Sequence, residues 1–228
     1  GFDKAINIWG ADHHGHVARL QAALDGLGLD GSHRLVVVLM QLVNLMQDGK
    51  PVRMSKRSGK TIALHDLLDE ISVDAARYFF NSRASTSPLD FDLDLAVRED
   101  SENPVYYVQY AHARICSLIA RLAEEGAQVP KAGDVDAAVL NTPEELALIK
   151  ALAQFPEEIH LAARDYDPSR INRYLVALAG DFHRFYNACR IKGEEPQVLG
   201  ARLKLADTVR SVLANGMGLL GVSAPEKM

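Results

Sequence analysis

Several things are scarce in this 228-residue sequence, and each scarcity narrows its interpretation. It has two cysteines, Cys116 and Cys189, far apart and each inside an apolar helical pattern. That spacing suits neither a disulfide framework nor a cysteine-based metal site, and both read as buried thiols in a reducing compartment. There is no charged leader followed by an apolar run, and no span of apolar residues long enough for a bilayer. Positive charge is not in excess either: the formal net charge is -5, so nothing global favours a polyanion and any nucleic-acid site must be local. With 48% apolar residues the chain can bury a substantial core, as a globular protein of one large or two modest domains. No internal repeat or low-complexity tract is present.

The opening, Gly1-Phe2-Asp3-Lys4-Ala5-Ile6-Asn7-Ile8-Trp9-Gly10, lacks an initiator methionine and reads as a strand entered midway, as expected for an excised domain or fragment. Ala5 to Trp9 is expected to be a buried parallel strand whose carboxyl end turns into a polar site. A helix should follow from His16 to Leu27. A second apolar run, Leu35 to Met46, leads into the turn Asp48-Gly49-Lys50-Pro51. From Gly49 to His65 the chain then carries Lys50, Arg53, Lys56, Arg57 and Lys60 with no Asp or Glu among them. On charge alone this is equally a solvated surface loop or an anion site.

Beyond Leu64 the periodicity becomes helical. Leu64, Leu67, Leu68 and Ile71 share a face, and Val73 to Phe80 forms another apolar segment. Ser85 to Asp94, with Pro88, reads as a polar connection, and a domain boundary is placed near 95. Asn103-Pro104 then offers a cap followed by proline at the first helical position, opening a helix to about Leu122. Thr142 and Glu145 form a capping-box signature for a helix through about Phe155. Helical patterns follow at Pro156 to Arg164, Pro168 to Ile191 and Leu199 to Leu220. The expected fold class is mainly α, with residues 96–228 forming a helical bundle.

At 100° per residue, Val108, Ala111, Ile115, Leu118 and Leu122 make the buried stripe of the helix from Pro104, while Tyr107, Tyr110 and Arg114 line up along its edge. Such a strip can stack unpaired bases and bind phosphate, although tyrosines at a bundle edge are commonly amphipathic core residues. In the helix from Arg170 the apolar face is Ile171, Leu175, Leu178, Phe182, Phe185 and Cys189, with Tyr186 on its flank near Arg190. His13, His14 and His16 form a possible metal-binding trio, but no further ligand accompanies them. No metal site is therefore expected.

The stretch Val52-Arg53-Met54-Ser55-Lys56-Arg57-Ser58-Gly59-Lys60 lets backbone approach a ligand at its small residues and supplies mobile cations suited to phosphate. It is not a Walker loop, whose leading glycine and spacing are missing. It resembles the KMSKS-type signature of class I aminoacyl-tRNA synthetases, with Arg53 in place of the usual lysine. The segments Asn7 to His16, Val73 to Phe80, Asn103 to Arg114, Phe185 to Arg190 and Ser223 to Met228 resemble the arginyl-tRNA synthetases in particular, so the similarity spans nearly the whole chain.

That resemblance implies the carboxy-terminal remnant of a Rossmann-type catalytic domain over residues 1–95 and an anticodon-binding helical bundle over 96–228. It implies ATP handling by Asp12 at the ribose and by Arg53, Met54, Ser55, Lys56 and Lys60 at the phosphates, with Lys56 catalytic and Mg2+ accompanying ATP. His13 would lie on the amino-acid side; Asp12 could instead be a cap. Tyr107, Tyr110, Arg114, Tyr186 and Met228 would meet the anticodon of arginine tRNA, although a frayed tail is the other reading of Met228. L-arginine would be the amino-acid substrate, in a cytoplasmic, monomeric enzyme. A HIGH-type motif, which would hold ATP from the other side, is not found, so the chain alone is expected to be inactive. Another class I synthetase, such as the cysteine enzyme, and a non-catalytic helical RNA-binding domain are the rival readings.

Overall fold

The computed structural model describes residues 2–52 and 63–228, which form two compact units. The first comprises residues up to 61 together with Arg83–Asp94; the second comprises Ile62–Ser82 and Leu95–Met228. The chain thus leaves the first unit, returns to it once, and leaves again after Asp94.

In the first unit, β1 (Ala5–Gly10) runs through a 3-10 turn at Ala11–His16 into α1 (Val17–Gly26) and the short α2 (Gly31–Arg34). β2 (Leu35–Met40) then pairs parallel to β1, from Ala5 opposite Leu35 to Gly10 opposite Met40. The apolar run of the sequence is not one element. It breaks at Gln41-Leu42, and β3 (Val43–Gln47) joins a different sheet with the antiparallel β4 (Lys50–Pro51) and the parallel β5 (Leu89–Asp92). Ser85 to Asp94 is therefore not only a connection: Leu89 and Phe91 alternate inward from β5 and are buried. The expectation of a buried first strand is also corrected. Ile6 is 51% and Ile8 68% exposed, because among the described residues β1 has a single neighbouring strand and no layer of this unit covers those side chains.

The second unit contains α3 (Leu64–Glu70) and α4 (Val73–Phe80), which the sequence pattern grouped with residues 1–95. α4 is fixed to the bundle at Tyr78 by reciprocal bonds: its hydroxyl donates to the carbonyl of Asn172 at 3.2 Å, and Asn172 Nδ2 donates to the carbonyl of Tyr78 at 2.9 Å. After α5 (Leu93–Ala96), the long helices α6 (Pro104–Glu124), α7 (Pro143–Asp165), α8 (Ser169–Ala188) and α9 (Pro196–Leu220) complete the unit. α8 packs against α6, α7 and α9. The stripes expected from the 3.6-residue period are buried: Val108, Ala111, Ile115, Leu118 and Leu122 on α6, and Ile171, Leu175, Leu178, Phe182 and Phe185 on α8.

The caps follow the sequence. Asn103 Oδ1 accepts from the amide of Val105 at 3.2 Å, and Thr142 with Glu145 closes a capping box at 2.9 and 3.3 Å. One helix boundary differs. Pro156 does not end its helix, and α7 runs on to Asp165. The hydrogen bond that proline cannot make is outweighed by packing, since Leu148, Phe155 and Ala162 are buried before and after it.

α9 approaches α8 closely at Gly216, where an added Cβ would come within 2.6 Å of Leu175 Cδ2. Leu175 has no exposed surface and little room to yield. Gly216→Val should therefore lower the stability of the bundle by about 1–3 kcal/mol through overpacking, seen as an earlier midpoint in urea with an unchanged slope. A midpoint equal to that of the unaltered chain would show that this contact has slack. Among the described residues, no helix is long and apolar enough to cross a membrane.

Candidate nucleic-acid interface

Along one side of α6, an i, i+4 spacing brings Tyr106 and Tyr110 together, with ring centroids 6.3 Å apart and planes within 7°. Tyr107 turns toward α8 and meets His183, with centroids 5.2 Å apart, while Tyr110 stands 6.2 Å from the same imidazole. One turn further on, the Arg114 guanidinium lies 4.5 Å from the centre of the Tyr186 ring and 6.0 Å from that of Tyr110. The result is a cleft of about 500 Å³ lined by Tyr106, Tyr107, Tyr110, Arg114, His183 and Asn187, with Ser101 at its end.

Three of the five residues expected at the anticodon, Tyr107, Tyr110 and Arg114, therefore share one cavity, and Tyr186 is held against it by the cation–ring contact. Tyr106, His183 and Asn187 were not singled out from sequence. Tyr106 could have been found, since it lies four residues before Tyr110; His183 and Asn187 acquire their place only when α8 packs on α6. Burial, and then the nearby charge of Arg114, push the His183 imidazole below its ordinary value, so near neutrality it is an uncharged ring with both donor and acceptor capacity. Planar faces, one delocalised cation and a neutral imidazole suit an unpaired base: the rings stack, and Asn187 and His183 can meet a base edge.

Met228, the fifth expected residue, is brought close by a clasp on the segment that follows α9. Arg77 Nε donates to the carbonyl of Leu220 at 2.9 Å, and Gly221 turns the chain in the left-handed region at φ 67°. Asp74 accepts from the amide of Ser223 at 3.1 Å and from its hydroxyl. Gln109 Nε2 donates to Asp74 at 2.8 Å and to the carbonyl of Ser223 at 3.0 Å, and His112 Nδ1 lies 2.9 Å from the carbonyl of Pro225. Met228 then lines a second cavity of about 350 Å³ with Asn103, Val105, Tyr106 and Gln109. Tyr106 belongs to both cavities. The segment is thus held as far as Pro225, while Met228 itself is 54% exposed.

In the first unit, Asp12 and His13 sit on the 3-10 turn directly after β1, both well exposed, with His13 Nε2 3.7 Å from Asp12 Oδ2. A Cβ at Gly10 would come within 2.6 Å of Asp12 Oδ1, the end of an exposed side chain that is free to turn aside. His13 and His16 line a cavity of about 340 Å³ with Trp9, while His14 does not. Among the described residues no group of three or more potential ligands could hold a metal ion. Arg53, Met54, Ser55, Lys56 and Lys60 lie outside the described residues.

The aromatic cleft coincides with a family match. Residues 108–228 fit the model of the DALR anticodon binding domain, a span that includes Tyr110, Arg114, His183, Tyr186, Asn187 and Met228. The chain belongs to the DALR anticodon binding domain family. Tyr106 and Tyr107 lie just before the matched DALR span, on the same helix. Over its whole length the chain is 55% identical to an arginine–tRNA ligase of Carboxydothermus hydrogenoformans and 54% identical to one of Ruminiclostridium cellulolyticum, covering 41% and 40% of those proteins. It therefore spans about two fifths of the length of these curated relatives. Among solved structures, a chain described as an arginyl-tRNA synthetase of Campylobacter jejuni is similar, with a TM-score of 0.87 at 36% identity, covering 100% of this chain and 49% of that one. The arginyl-tRNA synthetase of Thermus thermophilus shares the fold at 22% identity, with a TM-score of 0.82 over 99% of this chain and 41% of that one.

Proposed function

We propose that this chain is part of an arginine–tRNA ligase and that its helical unit reads unpaired anticodon bases of arginine tRNA. The observation that carries this reading is the cleft formed by Tyr106, Tyr107, Tyr110, Arg114 and His183, largely inside the DALR span and in a chain similar from end to end to arginine–tRNA ligases. Stacking on tyrosine faces tolerates any base, so discrimination falls to the groups that meet base edges, Asn187, His183 and Arg114. Met228, three residues beyond the part of the tail held by the Asp74–Gln109–His112 clasp, offers an apolar contact at the neighbouring cavity.

The first unit serves the chemical steps in this reading. The carboxylate of arginine attacks the α-phosphate of ATP, supplied as its Mg2+ complex, giving arginyl-adenylate and releasing pyrophosphate. A ribose hydroxyl at the end of the tRNA then takes the arginyl group and AMP leaves. Lys56, with Arg53 and Lys60, offsets the charge that builds on the phosphates in the first step, and the small residues Ser55, Ser58 and Gly59 of the same ATP-binding stretch as Met54 let the backbone come close. In this reading Asp12 meets the adenosine ribose and His13 the amino-acid side, which their shared turn at the carboxyl end of β1 supports. The protein works as a cytoplasmic monomer.

The test is a titration of this chain with arginine tRNA and with the same tRNA carrying altered anticodon bases, at two salt concentrations that separate phosphate attraction from base reading. Tighter binding of the native anticodon at both salts is expected. Equal, salt-sensitive binding of the two RNAs would leave only a charged surface and defeat the assignment.

A further inference from the structure

The groove between α6 and α8 continues past Arg114. Beyond it lies another cavity, of about 540 Å³, formed by the ends of both helices and the segment after α8. Tyr186 lines this cavity, and Arg114, seated on the face of that ring, lines the tyrosine cleft; the cation–ring pair therefore stands between the two. The two cavities differ in chemistry. Leu118, Leu122 and Ile191 make a buried apolar floor here, and the polar groups are Arg121, Arg190 and Lys192, all with exposed side chains. Among the described residues, no carboxylate lines the cavity. Outside it, Glu125 holds Lys192 in an exposed ion pair at 2.5 Å.

Three cations over an apolar floor, on a chain of net charge -5, are a local exception that asks for an anion. The tyrosine cleft supplies faces and edges for a base but only one cation; this cavity supplies cations and a floor against which a sugar can lie. We propose that it binds the phosphodiester group adjoining the base held in the tyrosine cleft. The inference rests on the base-reading role of that cleft. The guanidinium of Arg121 and the ammonium of Lys192 approach the phosphate oxygens from α6 and from the segment after α8, and Arg190 closes the third side. Lys192 exchanges Glu125 for the phosphate as the RNA arrives, which is easy because exposed ion pairs are weak.

The cavity and the cleft are tested separately in one experiment. Arginine tRNA and its anticodon-altered form are titrated against the chain and against Arg121→Gln/Lys192→Gln over a salt series. Both substitutions lie at the surface, and unchanged circular dichroism would verify the fold. The expected result for the double variant is a plot of log affinity against log salt shallower by about 0.7, the loss of one single-stranded phosphate contact, with the ratio of affinities for the two RNAs preserved. An unchanged slope overturns the proposal. Glu125→Gln, which frees Lys192, should instead strengthen binding by roughly 2–5-fold; a weaker complex counts against it. Free adenosine monophosphate should not displace the tRNA; displacement that the double variant abolishes would assign the cavity to a free nucleotide and overturn the proposal. If the unaltered chain binds both anticodons equally, the base-reading role of the cleft fails, while the slope still decides what the cavity does.

Discussion

Glu145→Ala is expected to cost the helical unit about 3–5 kcal/mol, a larger loss of stability than overpacking at Gly216 would bring. The Glu145 side chain has no exposed surface, and its partner Arg202 is only 12% exposed. One carboxylate oxygen accepts from Arg202 Nε at 2.6 Å, and the other accepts from the amide of Thr142 at 2.9 Å. Alanine would remove the capping box of α7 and leave the guanidinium largely buried, with only Glu194 at 3.5 Å as a carboxylate partner. That remaining partner points to the lower end of the range. The same geometry sets a pH dependence. Burial raises the Glu145 carboxyl, but the bonds from Thr142 and Arg202 outweigh it and hold the group below its ordinary value of 4.5. A depressed carboxylate contributes stability that is present above its unfolded value and is lost as pH falls through the folded one. Urea unfolding of the unaltered chain should therefore weaken below about pH 4.5, and Glu145→Gln should be less stable at pH 7 yet flatter in acid. A loss below about 1 kcal/mol for Glu145→Ala would place the pair with ordinary surface ion pairs.

The second large effect is on binding. Tyr107→Ala and Tyr110→Ala should each weaken binding of arginine tRNA by about 1–3 kcal/mol, the range for a base stacked on an aromatic side chain, or roughly 5- to 150-fold. Tyr110 is the cleaner probe: the residue is 40% exposed, so its removal leaves the core of α6 in place. Tyr107 also supports His183, and its loss disturbs one further wall of the cleft. Tyr110→Phe keeps the stacking face and should retain most of the affinity. Affinity within twofold of normal for Tyr110→Ala, together with a preserved preference for the native anticodon, would return these tyrosines to the role of bundle-edge packing.

How far the sequence could be read depended on the range of the interaction concerned. The stripes of α6 and α8 were legible because burial repeats every 3.6 residues and no longer-range information is needed. The caps at Asn103 and Thr142 were legible for the same reason, as contacts within three residues. Pro156 misled because the local cost of proline is visible in the sequence, whereas the packing of Leu148 and Phe155 that outweighs it is not. The run Leu35 to Met46 concealed two strands of different sheets, since a continuous apolar segment does not mark where pairing partners change. The four residues of β5 were too few for their alternation to stand out. In the site, Tyr107, Tyr110 and Arg114 came from one helix and were found together. His183, Asn187 and the Asp74–Gln109–His112 clasp join residues up to 149 positions apart, which no local pattern announces.

The division into two units governs how the chain unfolds. A single melting temperature presupposes one cooperative core. The bundle has such a core; the first unit carries β1 with Ile6 and Ile8 largely bare, and α1 has no buried residue. Heating this chain would therefore superimpose the melting of a lightly packed α/β layer on that of a well-packed bundle. Far-ultraviolet signals would report chiefly on the second, and amide exchange would proceed first through the strands.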